Sequence, residues 1–189
     1  MIINIRGTSG SGKTTVVRKL LNIARPACPY HDGSPSEKIE GYYCGGLAPV
    51  TTAIIGSYAK PTGGSDGIKP LSRVFEQVKW QHDNGLHVVF EGLLVSRSKG
   101  RIIDLWEAMH RKNFYILHLT TPFETCLEGI RERRLARKNT KPVDPQRTRE
   151  TYERAAKITR DLEALGMPVK YVTRDEALQK VQDCLNHKW

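Results

Sequence analysis

Apolar positions in this chain fall into short, nearly continuous runs, separated by longer stretches in which they recur every three or four residues. Ile2, Ile3 and Ile5 form the first run, Val88-Val89-Phe90 the centre of another, Phe114-Tyr115-Ile116-Leu117-His118-Leu119 a third and Val169-Lys170-Tyr171-Val172 the last. Runs without polar alternation predict strands buried on both faces of a parallel sheet. Residues 51–58 are rich in β-branched side chains and predict a further strand. Between the runs, Leu71, Val74, Phe75 and Val78 recur at i, i+3, i+4 and i+7 and predict a helix. Residues 16–24, 102–110 and 146–165 also read as helices, the last with Ile158, Leu162 and Leu165 on one face. Thr121-Pro122-Phe123-Glu124 and Thr173-Arg174-Asp175-Glu176 have the spacing of capping boxes, the first with proline at the opening helical position. Residues 25–46, with prolines at 26, 29 and 35, read as irregular with a short hairpin around 40–44, and residues 60–67 as a loop.

Strands alternating with helices predict an α/β fold, a parallel sheet covered on both faces. The 189 residues suffice for one well-buried core, and no repeat, low-complexity tract or linker divides the chain, so a single domain over 1–189 is expected. Ligands of such sheets bind beyond the C-terminal ends of the strands.

At the end of the first strand stands Gly7-Thr8-Ser9-Gly10-Ser11-Gly12-Lys13-Thr14, followed by Thr15 and a helix. This is the full G-x-x-x-x-G-K-[ST] phosphate-binding loop in the strand–loop–helix setting it requires. Its glycines free the backbone amides to wrap a polyphosphate at the positive end of the helix. Lys13 is expected at the β/γ-phosphates and the Thr14 hydroxyl on Mg²⁺. The alternative is a Gly/Ser-rich turn that matches by chance.

Charge adds a second theme. The net charge is +10, and residues 131–160 hold eleven Lys/Arg against four Asp/Glu. A basic surface so clustered attracts polyanions, nucleic acid first among them; a solvated helix plus a phosphate-gripping lid would also account for it. Cys28, Cys44, Cys126 and Cys184 lie far apart without C-x₂-C spacing, which predicts free thiols in a reducing compartment. No apolar run approaches the about 20 residues of a membrane span, and the opening strand leads directly into the phosphate loop, so a cytoplasmic protein without a signal peptide is expected.

Three further groups carry candidate chemistry. Glu91 closes the strand Val88-Val89-Phe90-Glu91, where a carboxylate orders Mg²⁺ or accepts the proton of an attacking hydroxyl. Asp66, in Gly64-Ser65-Asp66-Gly67, competes for the proton-accepting role, although the tetrapeptide is also ordinary turn chemistry. Asp32 reads as a turn residue and Asp83 as structural. Arg131, Arg133, Arg134 and Arg137, with Lys138, crowd the end of a helix, where arginines closing on a transferring phosphoryl group would stabilise its charge and a lid would exclude water. Of these, Arg131 and Arg134 are the expected catalytic pair. Arg174 follows the last strand, either against a nucleotide base or as part of a helix cap. His118 reads as a satisfied core residue. Ligand spacing for a transition metal is absent.

Together these segments resemble the P-loop kinases of the nucleotide-kinase type. The resemblance covers most of the chain: Gly7 to Thr15, the strand ending in Glu91-Gly92, Leu117-His118-Leu119-Thr120-Thr121-Pro122 leading into Arg131-Glu132-Arg133-Arg134, and the late strand before the final helix. It implies a three-layer fold with a five-stranded parallel sheet in order 2-3-1-4-5, an arginine-bearing lid near 131–145, and ATP with Mg²⁺ as phosphoryl donor. Gly63-Gly64-Ser65-Asp66-Gly67-Ile68 and Val89-Phe90-Glu91-Gly92-Leu93-Leu94 are similar to segments of viral kinases that phosphorylate 5-hydroxymethyluridine within DNA. That likeness implies DNA containing modified bases as partner and, if the chain is viral, the host cytoplasm as its place. The sequence leaves open a kinase of free nucleosides or nucleotides and a non-enzymatic nucleotide-dependent switch, and says nothing of oligomeric state.

Overall fold

A computed structural model describes residues 1–34, 37–59 and 64–189. Seven strands form one mixed sheet: β1 (Ile2–Arg6), β2 (Ala27–His31), β3 (Ile39–Cys44), β4 (Thr52–Ile55), β5 (His87–Glu91), β6 (Phe114–Leu119) and β7 (Val169–Val172), in the spatial order β2-β3-β4-β5-β1-β6-β7. β4, β5, β1, β6 and β7 run parallel, and numbered among themselves they follow 2-3-1-4-5. The expected five-stranded sheet is therefore the parallel part of a larger one. β2 and β3 pair antiparallel with each other, and β3 antiparallel with β4, so the segment expected to be largely irregular extends the sheet by a hairpin.

The helices are α1 (Lys13–Ile23), α2 (Leu71–Asp83), α3 (Leu93–Ser96), α4 (Lys99–Ala108), α5 (Phe123–Ala136), α6 (Pro145–Ala164) and α7 (Ala177–Leu185). Each parallel connection crosses through a helix, as parallel pairing requires. Two apolar clusters cover the sheet. One joins Ile3, Ile5, Val89 and Leu117 to α1 and α7; the other joins Ile2, Val88, Phe90, Phe114 and Ile116 to α2, α4 and α6. The period-2 alternation of β1, with Ile3 and Ile5 on one face and Ile2 on the other, is what feeds both. The result is an α/β fold, a mixed sheet covered on both faces by helices. No helix among the described residues is long and apolar enough to cross a membrane.

Two local expectations change. The Thr121 capping box does not form: α5 begins at Phe123 behind Pro122, and the Thr121 hydroxyl donates instead to the Ser11 carbonyl at 2.8 Å. The second box does form, with the Glu176 carboxylate accepting from the Thr173 amide at 2.9 Å and its hydroxyl at 2.7 Å. Of the loop expected at 60–67, residues 64–67 are described, with a 3₁₀ turn at Ser65–Gly67; residues 60–63, and Pro35 in the earlier stretch, lie outside the described residues.

Candidate active site

β1 hands the chain to the phosphate loop at Gly7, and the loop closes on α1 at Lys13. Gly10 has φ +79, and any Cβ there would run into the Cys126 carbonyl of α5; Gly12 has φ +99, with Arg174 Nε 2.8 Å from the position a Cβ would take. Both positions favour glycine for conformation, and Gly10 also for room, since its neighbour is backbone. The Ser11 hydroxyl donates to the Thr8 carbonyl at 2.8 Å, and Lys13 Nζ donates to the same oxygen at 2.6 Å. Burial depresses the Lys13 ammonium below its usual range, opposed by the nearby Glu91 and Asp66 carboxylates.

Glu91 ends β5, one strand from the loop, and is 2% exposed. Its Oε1 accepts from the Thr14 hydroxyl at 3.0 Å. Burial raises its carboxyl to about 7, against the pull of Lys13 and the Thr14 hydrogen bond. Gly64 packs so tightly on Glu91 Oε1 that a Cβ there would displace the carboxylate. Asp66 is placed differently. Its Oδ2 accepts from the Leu93 amide at 2.8 Å and its Oδ1 from the Leu94 amide at 3.0 Å, so both oxygens hold the turn that follows Glu91.

These groups share one cavity of about 510 Å³, lined by Ser9, Gly10, Gly12, Lys13, Thr14, Thr15, Arg18, Asp66, Gly67, Glu91, Leu93, Gly129, Glu132, Arg133 and Arg174. The arginines separate. Arg133 lines the cavity, and burial lowers its guanidinium from the usual value. Arg134 Nη1 donates to the carbonyls of Lys141 at 2.8 Å and Pro142 at 2.6 Å, so it braces the turn between α5 and α6. Arg131 is exposed on an outer groove among Glu124, Glu128 and Glu132, away from Lys13 and Glu91. Arg174 Nη2 donates to the Gly10 carbonyl at 3.0 Å and lies against Gly12. A second cavity, of about 480 Å³, adjoins along Ser9, Leu93 and Arg133 and continues past Ile130 to Arg137, Lys141, Asp144 and Arg147.

Asp32 binds the Ser34 amide at 2.9 Å in a local turn, and Asp83 pairs with Lys79 at 2.5 Å; neither enters the cavity. Beneath the loop lies a group that sequence reading passed over. Arg6 is fully buried, its Nε donating to Thr159 Oγ1 at 3.2 Å, Nη1 to Asn4 Oδ1 at 3.1 Å and Nη2 to the Ser96 carbonyl at 2.6 Å. Burial brings its guanidinium down to about 10. Thr159 Oγ1 donates its one proton to the Ala155 carbonyl at 3.0 Å, so His118 Nδ1, 2.9 Å away, must carry the hydrogen between them. This network ties α3 and α6 to the strand that launches the phosphate loop. The only signal of it in the sequence is an arginine at the end of an apolar run.

The Thr14 hydroxyl and the Glu91 carboxylate are hard oxygen donors lying together, a set suited to Mg²⁺. Thr8 Oγ1 and Arg174 Nε are buried with no hydrogen-bond partner among the described residues, and a phosphate oxygen or nucleotide would supply one.

No protein-family model matches the chain. The 5-hmdU DNA kinase of Pseudomonas phage PaMx11 is 34% identical over 190 residues, covering 97% of this chain and 96% of that protein. The 5-hmdU DNA kinase of Pseudomonas phage M6 is 27% identical, with 95% of each chain covered. That of Bacillus phage SP10 is 30% identical over 139 residues, 70% of this chain but 21% of the phage protein. Among solved structures, a deoxyadenosine kinase from M. mycoides with bound dATP superposes with a TM-score of 0.49 at 11% identity, covering 98% of this chain and 99% of that one. With a third of its residues shared along nearly the whole length of a relative, the chain belongs to the phage 5-hmdU DNA kinase family.

Proposed function

We propose that this protein transfers the γ-phosphoryl group of ATP to the hydroxymethyl oxygen of 5-hydroxymethyldeoxyuridine in DNA. The observation that carries the chemistry is Glu91: a buried carboxylate at a strand end, 3.0 Å from the hydroxyl of the phosphate-loop threonine and in the same cavity as Lys13. The acceptor comes from the relatives, which are named for this substrate. In the reaction the bond from the γ-phosphorus to the β,γ-bridging oxygen breaks, the bond from that phosphorus to the hydroxymethyl oxygen forms, and ADP leaves. The hydroxyl proton passes to Glu91.

The loop amides and Lys13 hold the β- and γ-phosphates, which requires Lys13 Nζ to leave the Thr8 carbonyl. Thr14 would hold Mg²⁺ directly and Glu91 only through water, which leaves its carboxylate free to take the proton; when bound the ion supplies neutralisation of charge on the β/γ-oxygens. Arg133 balances charge on the transferring group, and the segment at 131–145 acts as the lid, with Arg134 bracing its turn and Arg131 outside the chemistry. Asp66, with both oxygens engaged by amides, positions Glu91. Arg174 packs against the loop where the nucleotide would lie. The chain works as one domain in the host cytoplasm.

The test is incubation with γ-labelled ATP and a panel of plain DNA, 5-hydroxymethyluracil-containing DNA, free nucleosides and nucleoside monophosphates. Label is expected in the modified DNA alone. Label confined to free nucleosides or nucleotides would refute the DNA acceptor.

A further inference from the structure

We infer that the acceptor base reaches Glu91 extruded from its helix, an inference that rests on the DNA acceptor proposed above. The hydroxymethyl group of a stacked base stands on the floor of the major groove, about 8.5 Å deep and 12 Å wide between phosphate walls. A protein touches that floor with something that protrudes, a helix or a two-stranded ribbon. Glu91 is the opposite of a protrusion. It ends β5, an inner strand flanked by β4 and β1, and the residue, only 2% exposed, lines the phosphate-loop cavity. Two recessed surfaces cannot bring their floors together: the phosphate walls of a regular duplex would meet the rim first and leave the hydroxyl short by a distance on the order of the groove depth.

The neighbouring cavity supplies the route. It opens beside Leu93 and Ile130, two apolar walls suited to the faces of a base, and joins the phosphate-loop cavity at Ser9, Leu93 and Arg133. It is also lined by Arg137, Lys141 and Arg147, cations suited to the phosphates that flank an extruded nucleotide. The one carboxylate among its described lining residues, Asp144, accepts from the Arg147 amide at 3.0 Å and caps α6. Enzymes that act on a base within a duplex meet this need by swinging the nucleotide out, at a cost that falls when the base is already poorly paired.

The experiment compares kcat/KM on two duplexes of one sequence, with 5-hydroxymethyluracil either paired with adenine or set opposite a mismatched base. A 2-aminopurine next to the target reports unstacking when protein and a non-hydrolysable ATP analogue are added. Extrusion predicts kcat/KM at least tenfold higher on the mismatched duplex and a rise in 2-aminopurine fluorescence on the paired one. Equal kcat/KM on both with unchanged fluorescence would overturn extrusion while leaving the DNA acceptor standing. Label in neither duplex would overturn both.

Discussion

The buried network beneath the phosphate loop makes stability depend on pH in a defined direction. His118 is held neutral in the folded protein: burial, with Arg6, Lys13 and Arg160 on its cationic side, lowers its imidazolium to about 4. Thr159 fixes its Nδ1 proton, and the Tyr171 ring lies 5.6 Å away. In the unfolded chain the same imidazole takes a proton near 6.5. The unfolded state therefore binds more protons between these values, so the contribution of His118 is fully present above 6.5 and is lost as pH falls towards 4. Between pH 8 and pH 5 the loss is about 2 kcal/mol. Urea unfolding of the wild type and of His118→Gln, each followed from pH 8 to pH 5, isolates the effect, since titrations common to both cancel. The stability difference, wild type minus variant, should fall by about 2 kcal/mol over that range. A difference that stays constant within about 0.5 kcal/mol would show that His118 is not held neutral by its surroundings.

Arg6→Met should destabilise the protein by about 3 kcal/mol, because Asn4 Oδ1 and the Ser96 carbonyl lose their buried donor; chemical denaturation reads this, and a change under about 1 kcal/mol would mean that the network rearranges freely. Glu91→Gln should lower turnover by about 10²- to 10⁴-fold while ATP affinity, measured by calorimetry, stays near wild type; retained turnover would remove Glu91 from the chemistry. Gly10→Ala should abolish nucleotide binding, since its Cβ meets the Cys126 carbonyl at a backbone conformation that favours glycine; a variant with normal ATP affinity would contradict the loop geometry. Replacing Arg137, Lys141 and Arg147 together by alanine should flatten the slope of log K against log salt for DNA by about 3, and an unaltered slope would place the DNA elsewhere.

What the sequence made legible follows from how local each cause is. The phosphate loop and the Glu91 strand end are written in consecutive residues, and the buried parallel strands in continuous apolar runs. β2 is not so written: its side chains are mostly exposed, it carries Pro29, and it becomes a strand only because β3 supplies its partners. The Thr121 box failed because a tertiary acceptor, the Ser11 carbonyl, captured its hydroxyl. Asp66 finds its amides 27 and 28 residues away, a distance no local pattern reveals. Which arginine of α5 faces the cavity depends on the helix's rotation about its axis, and with charges at 131, 132, 133 and 134 the sequence leaves that rotation open. Arg6 is a single charge whose burial is decided by Thr159 and Ser96, far along the chain.

The hairpin that lengthens the sheet also decides how the sheet ends. Its outermost strand carries a proline at its centre, so a row that would otherwise offer amide donors to a neighbouring chain is broken midway. The margin opposite the phosphate loop's helix partners is thereby a poor template for strand addition. Unfolded and nascent chains would find little purchase on it.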